Sequence, residues 1–600
     1  MNGNRGLWSV VSITLFAATS MASATNQYSV ILERNVATVM RDGVTLRADI
    51  YRPDADGRFP VLLQRTPYNK DDMVQLGMEG AAKGYVVIIQ DVRGSYASDG
   101  EWYPFKHESD DGYDTVEWAA GLPYSNEKVG MFGGSYVGAT QMLAAIAHPP
   151  HLAGICPAVT ASNYHDGWVY QGGAFEQWFN ESWTSGLALH SLGRNMKDEK
   201  NAWKGVWNLP LTTYPVFNFF PSAAPPSLTY SLASYFLDWL AHPNYDAYWK
   251  RDSIEEHFSD ITVPALHVAA WYDIFLGGSL RNYAGIKLHG GSETARKGQH
   301  LLIVIGGHAG SGRKIGDVDF GAAAEGNDVD DGRFGNETVF SWYDYLFKGM
   351  QNGFAGKPVK IFVMGINQWR EEDDWPPPRS HDTKYFLHSA GKANSALGDG
   401  SLSTTPSRSE AADQFVYDPK DPVPTVGGPL CCEGTHLPPG PRDQRAVEAR
   451  PDVLVYSTLP LAQDVEVTGP VRVELYVKSS AVDTDFTGKL VDVWPDGFAQ
   501  NLTDNIIRLR YRNSQEKPEL ANPGQVYPLN LDLMSTSNVF RKGHILRLEI
   551  SSSNFPRFDR NLNSGEEGAT AQRSVLATNA VLHDAEHPSA LILSAIAARP

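Results

Sequence analysis

Short apolar runs set the pattern of the first half of the chain. FPVLLQR (59–65), YVVIIQD (85–91) and KVGMFGG (128–134) are near-continuous hydrophobic stretches bounded by turn residues, the signature of strands buried on both faces. LAGICPAV (152–159), ALHVAAW (265–271) and HLLIVIG (300–306) repeat it. VATVMRDGVTLRADIYRP (36–53) reads as two strands around an Asp42-Gly43 turn. YDTVEWAAGL (113–122) has helical spacing, and KVGMFGG leads directly into the alanine-rich GATQMLAAIAHP. This alternation predicts an α/β fold with a mostly parallel sheet.

The pattern breaks twice. Residues 165–255 are rich in aromatics (AFEQWFNESWTSG, YSLASYFLDWLAHPNYDAYW) and predict a helical cap inserted into the first domain; a helical layer without a part in substrate binding is the plainer reading. From about residue 355, VKIFVMG, TKYFLHS, DVLVYSTL, VTGPVRVELYVKSS, NIIRLRYR and HILRLEISSS are short alternating runs separated by turn residues. They predict an all-β jelly-roll or sandwich domain over 355–600.

Composition narrows the function classes. The formal net charge of −18 gives no electrostatic route to nucleic acid or an anionic membrane surface. Arg5, the mostly apolar LWSVVSITLFAATSMA (7–22) and Ala22-Ser23-Ala24 predict a signal peptide over 1–24. The expected mature protein is exported, periplasmic or secreted, with no membrane association after cleavage. Three cysteines are too few for a disulfide framework. Cys156, inside an apolar run, reads as a buried small hydrophobe. Cys431 and Cys432 are adjacent in a Gly/Pro-rich loop and read either as a vicinal disulfide or as two inert thiols.

The chemistry starts at MFGGSYVGATQ (131–141). A nucleophile elbow written Gly-x-Ser-x-Gly would carry its second glycine at position 137, where Val137 stands; Gly138 comes one residue late. The order strand, glycine-flanked serine, helix is nevertheless that of an elbow, which exposes the hydroxyl above the sheet. It also leaves the Tyr136 N–H at a helix start, where it can stabilise an oxyanion. A triad in the order Ser…Asp…His needs each partner just after a strand. Asp273 follows ALHVAAWY and His308 follows LLIVIGG. Tyr68, in the loop RTPYNK (65–70) after an earlier strand, is a candidate second oxyanion donor through its hydroxyl, or a packing tyrosine.

RTPYNK (65–70), QDVRGSYASDG (90–100), GYDTVEWAA (112–120), GGSYVG (133–138), WYDIFLGGSL (271–280) and IGGH (305–308) together resemble one family. It is the serine hydrolase family of bacterial cocaine esterase, X-prolyl dipeptidyl aminopeptidases, α-amino-acid ester hydrolases and glutaryl-cephalosporin acylases. The resemblance runs from about residue 33 to 595. The family's nucleophile turn, Gly-x-Ser-Tyr-x-Gly, matches Gly133, Ser135, Tyr136 and Gly138. The resemblance implies an α/β-hydrolase domain over 25–164 and 256–354, the cap over 165–255 and the C-terminal jelly roll. It also implies Ser135 as nucleophile, Asp273 and His308 as its partners, and Tyr68 with the Tyr136 N–H as oxyanion hole. Asp91 and Arg93 match a motif read as structural.

Departures from the family choose among its activities. Where α-amino-acid ester hydrolases hold carboxylates for the substrate ammonium, this chain has Ile274-Phe275-Leu276 and Val169-Tyr170-Gln171, which offer none; an ammonium without a counter-charge is costly to desolvate. IGGH replaces the family's more usual Gly-Pro-Trp-x-His. The reading is therefore a serine hydrolase cleaving small-molecule carboxylic esters, or amides, through an acyl-enzyme, with no cofactor and no metal. The alternatives are an acylase or dipeptidyl aminopeptidase and, from another class, a non-catalytic carbohydrate-binding or scaffold protein. Trp168, Tyr170, Phe175, Trp178 and Phe275 are candidate pocket residues, with His165 and Phe179 beside them; aromatic core packing is an equal reading. The acidic loop GDVDFGAAAEGNDVDDG (316–332) reads as a solvated loop near the site's rim or as a calcium site, although it matches no calcium-loop pattern, and Asn501-Leu502-Thr503 is a glycosylation sequon. Homo-oligomer formation stays open at this level.

Overall fold

The computed structural model describes residues 28–191, 233–308, 310–325, 336–432 and 434–597. The predicted signal segment and residues 192–232 of the predicted cap lie outside the described residues.

The apolar runs form the first sheet. Its strands are β1 (Val30–Val39), β2 (Thr45–Pro53), β3 (Phe59–Thr66), β4 (Val86–Asp91), β5 (Ser125–Gly134), β6 (Leu152–Ala158), β7 (Ala265–Tyr272), β8 (Gln299–Gly307), β9 (Val359–Val363) and β10 (Gln368–Glu372). Their spatial order is β1-β2-β4-β3-β5-β6-β7-β8-β9-β10. Pairing is parallel from β4 through β9 and antiparallel at both edges. Every residue of β4 and β7 is buried, which is why these strands read as unbroken hydrophobic runs rather than alternating ones. Helices α1 (Val74–Ala82), α2 (Glu108–Ala120) and α3 (Tyr136–Ile146) follow β3, β4 and β5.

VKIFVMG, expected to open the all-β domain, belongs instead to the first sheet. Its strand β9 pairs in parallel with β8, Leu301 beside Val359. A short strand with four buried apolar residues of five has the same pattern in either domain, so only the pairing decides. The second region is all-β: a separate sheet, of 11 strands among the described residues, begins at Ser380–His388 and runs through Ala590–Ile596.

The cap is helical where it is described, with α4 (Gln177–Ser191) and α5 (Ser234–Ala241), preceded by a two-stranded turn at 170–175. After β7 comes α6 (Leu276–His289). One hydrophobic cluster spans the two large regions: Trp271, Tyr272 and Ile303 of the first sheet share it with Val473, Phe486 and Leu548 of the second. The buried Trp271 indole donates to Phe362 O at 2.7 Å, and Met364 N and Ser537 O exchange a backbone bond at 2.9 Å.

Two weaker sequence signals resolve here. Asn501 of the sequon is fully buried; its backbone oxygen accepts from Tyr272 Oη at 3.0 Å and its Oδ1 accepts from Arg442 N at 2.7 Å, so the folded chain does not offer it for glycosylation. In the acidic loop, Asp317 pairs with Arg442 at 2.5 Å and Asp319 with Arg313 at 2.8 Å, while Asp328, Asp330 and Asp331 lie outside the described residues.

Candidate active site

Ser135 sits between β5 and α3 with φ 61° and ψ −127°, a left-handed conformation that costs a non-glycine residue about 1–3 kcal/mol. Its amide donates to Ala158 O at 2.9 Å, which ties the elbow to β6. The displaced glycine has a steric reason. At Gly138 a Cβ would come within 2.8 Å of Thr160 Cβ and 3.0 Å of Ala158 O, so a side chain there would push α3 off β6. Gly133, at φ 130°, has no room for a Cβ beside Val137. Glycine is needed where helix meets strand, and that point is 138.

The three residues predicted after separate strands come together. Ser135 Oγ and His308 Nε2 are 2.9 Å apart, and His308 Nδ1 and Asp273 Oδ2 are 2.9 Å apart. Asp273 is fully buried at the end of β7, and its other oxygen accepts from Phe275 N at 2.5 Å. An acceptor fixed on the Nδ1 side leaves Nε2 with its lone pair toward the serine, so the line can move a proton from Ser135 to His308.

Tyr68 also lies at this point. Its hydroxyl accepts from the Trp183 indole N–H at 3.0 Å, and it meets the Ser135 hydroxyl and the Tyr136 amide. Burial pushes the phenol above its ordinary range, and its contacts with Trp183, Ser135 and the Tyr136 amide oppose the rise, so Tyr68 keeps its proton through neutral pH. Trp183, on α4, was missed in the sequence: a tryptophan in an aromatic-rich segment carries no mark of which tyrosine it will meet.

Behind Tyr136 lies a buried ion pair that the motif RTPYNK also concealed. Arg65, with no exposed surface, places Nη1 2.6 Å from Glu108 Oε2, and Tyr136 Oη donates to Glu108 Oε1 at 2.9 Å. Burial raises the Glu108 carboxyl above its usual range, and Arg65 opposes the rise. Arg65→Met is expected to cost about 3–5 kcal/mol of stability, because it leaves Glu108 buried without its counter-charge. The sign with pH follows: a carboxyl whose folded pKa rises further binds its proton more tightly in the folded state, so the loss is smallest at acid pH and grows as pH rises. Urea unfolding at pH 5 and pH 8 measures it; equal stability to the parent at pH 8 contradicts the assignment. Asp91 has the bracing role the sequence suggested, accepting from Lys70 N at 2.8 Å in the Tyr68 loop, and Arg93 pairs with Asp111 at 2.6 Å.

The predicted pocket residues divide. Phe275 meets the His308 ring at 5.2 Å between centroids and stacks on Trp168 at 4.5 Å; Trp168 and Tyr136 both meet Trp183, at 5.5 and 5.8 Å. These rings form an aromatic wall beside the triad. Tyr170 and Phe175 are not part of it. They line a separate cavity with Arg508 and Asp559: the Phe175 amide donates to Asp559 of the all-β region, and the Tyr170 hydroxyl donates to Trp239 O of α5. Trp178 packs on Leu430 and Leu437, and His165 stacks on Tyr170. Cys431 and Cys432 form a disulfide, the first of the two readings of that pair, and Cys156 is buried with its thiol pushed up by burial.

A serine bonded to a histidine that is itself bonded to an aspartate, each at the end of its own strand in a mostly parallel sheet, defines a serine hydrolase of the α/β-hydrolase class. Residues 42–310 match the X-Pro dipeptidyl-peptidase (S15 family) model and residues 352–592 the X-Pro dipeptidyl-peptidase C-terminal non-catalytic domain. Cocaine esterase of Rhodococcus sp. (strain MB1 Bresler) is 39% identical over 576 residues, covering 94% of this chain and 98% of that one. The chain belongs to the S15 family. The crystal structure of an aminopeptidase from the marine sediment archaeon Thaumarchaeota archaeon superposes with a TM-score of 0.78 at 26% identity, covering 99% of both chains. An α-amino acid ester hydrolase shares the fold with a TM-score of 0.77 at 24% identity, over 97% of this chain and 100% of that one. The chain is accordingly a serine hydrolase acting on esters or X-Pro amide bonds, and the reading as a scaffold is set aside.

Proposed function

We propose that the chain is a carboxylic-ester hydrolase with Ser135 as nucleophile, His308 as general base and acid, Asp273 as its orienting carboxylate, and Tyr68 with the Tyr136 N–H as oxyanion hole. The observation that carries this is the hydrogen-bonded line Ser135–His308–Asp273 with the Tyr68 hydroxyl against the serine. His308 takes the Ser135 proton as the oxygen attacks the ester carbonyl. The tetrahedral oxyanion receives hydrogen bonds from Tyr68 and Tyr136 N–H. His308 then protonates the departing alcohol, and water repeats the sequence on the acyl-enzyme.

The aromatic wall of Trp168, Trp183 and Phe275 suits a flat, uncharged acyl or alcohol group. Ile274, Phe275 and Leu276 behind Asp273 are all buried and apolar, so a free substrate ammonium has no counter-charge there; this favours esters over X-Pro peptides. An N-terminal export signal, a periplasmic or secreted location and a jelly-roll winding of the all-β region complete the reading. Its test is one purified sample given a fluorophosphonate and then, separately, an uncharged aryl ester and an X-Pro anilide. The expected result is labelling of one serine and a kcat/KM for the ester about 100-fold or more above that for the anilide. Equal or faster anilide cleavage overturns the ester preference, and absence of labelling overturns the mechanism.

Trp183→Phe removes the indole donor and keeps a ring in the wall. A fall in kcat of about five- to tenfold is expected from the lost hydrogen bond, with KM for the aryl ester changed less; an unchanged kcat shows that Tyr68 is positioned without it.

A further inference from the structure

The disulfide lies against the candidate base. One ring nitrogen of His308 and the sulfurs of Cys431 and Cys432 all lie within 4.8 Å of one another. Cys431 is buried in the same hydrophobic cluster as Trp168, Trp183 and Phe275, while Cys432 is exposed and the His308 side chain is 11% exposed. The sulfurs therefore form part of the site's wall on one side and open to solvent on the other.

We propose that reduction of Cys431–Cys432 creates a binding site for a thiophilic divalent cation such as zinc, held by both thiolates and His308, and that the bound cation silences the enzyme. A dithiol reductant supplies two electrons and two protons: the S–S bond breaks, two thiols form, and the reductant becomes a cyclic disulfide. The cation then displaces one proton from each thiol as two metal–sulfur bonds form. Zinc–sulfur and zinc–nitrogen bonds of about 2.3 and 2.0 Å require donors roughly 3.5 Å apart, a short rotation from where these atoms stand once the sulfurs separate. Asp273 on Nδ1 suits the role, since a carboxylate behind a histidine orients it toward a metal. Nε2 is then the nitrogen that binds, and its lone pair is the one needed to accept the Ser135 proton. The oxidised pair has no thiolate to offer, so the same protein is insensitive while the bond is closed.

Silencing rests on His308 being the general base; cation binding does not, and the two are read separately. Full-length protein is treated with a dithiol, freed of it by gel filtration under nitrogen, and titrated with Co²⁺ and, in parallel, Zn²⁺. The reduced protein is expected to bind one Co²⁺ per chain with thiolate-to-cobalt charge-transfer absorption. Its hydrolysis of an aryl ester is expected to fall about tenfold or more at one equivalent of Zn²⁺, with recovery on adding a chelator. The oxidised protein should do neither. The Cys431→Ser/Cys432→Ser protein should show no cobalt–sulfur absorption, and Zn²⁺ should leave it at its own metal-free rate. His308→Ala should weaken Co²⁺ binding about 10–100-fold. Equal inhibition of oxidised and reduced protein, Co²⁺ affinity unchanged in His308→Ala, or a reduced protein that hydrolyses ester at full rate with Zn²⁺ present each overturn the proposal. If fluorophosphonate labelling fails while cobalt still binds, the mechanism has failed and the metal site stands.

Discussion

Ser135→Ala is expected to lower kcat for an aryl ester by about 10⁴–10⁶-fold and to abolish fluorophosphonate labelling, with circular dichroism and the unfolding midpoint close to the parent's. The size follows from the loss of covalent catalysis as a whole. Triad members act as a unit, so removing the nucleophile costs about as much as removing every member. What survives is binding and the oxyanion donors acting on attacking water. The small stability effect follows from the site's geometry: the Ser135 hydroxyl bonds to the partly exposed His308, while the backbone bond to Ala158 is kept by alanine. A variant that keeps more than about a hundredth of the parent's kcat would show that Ser135 is not the nucleophile.

Tyr68→Phe has the second-largest expected effect, a fall in kcat of about 10²–10³-fold with KM changed by a small factor. The hydroxyl is aimed at charge that exists only after attack, so its loss is felt in the transition state and not in substrate binding. The surroundings make it a prepared donor. Trp183 occupies a lone pair of the phenol oxygen, which directs the O–H away from the indole, and burial keeps the phenol protonated. The variant retains the ring and its packing but leaves the Trp183 N–H without its acceptor, so kcat is read on protein whose unfolding midpoint shows it folded at the assay temperature. Wild-type turnover in Tyr68→Phe would return Tyr68 to the role of a packing residue and leave the oxyanion to Tyr136 N–H alone.

The parts of this site that could be read in the sequence are those fixed by position along the chain. Ser135, Asp273 and His308 each follow a run that is apolar because the strand is buried on both faces, and chain order then places them at the same end of the sheet. Three features were hidden because they depend on contacts between distant segments. Trp183 finds Tyr68 only once α4 has folded over the first sheet. Arg65 meets Glu108 behind Tyr136, yet in sequence Arg65 is only the first residue of a loop. The strand Val359–Val363 could not be assigned to its sheet because a short apolar run does not encode its neighbour. Aromatic character alone points Tyr170 and Phe175 to the pocket, and hydrogen bonds to the Trp239 carbonyl and the Asp559 carboxylate hold them elsewhere.

The cluster that joins Trp271, Tyr272 and Ile303 to Val473, Phe486 and Leu548 bears on how this molecule can be divided or recombined. Asp273 immediately follows two of these residues, and Tyr272 is anchored to the far region through the Asn501 carbonyl. Cutting the chain between the two sheets would bare an apolar face directly beneath Asp273. The two regions are therefore inherited together: a chimera that exchanges the all-β half must also carry matching partners for Trp271 and Tyr272, or its histidine will lose the support that aims it.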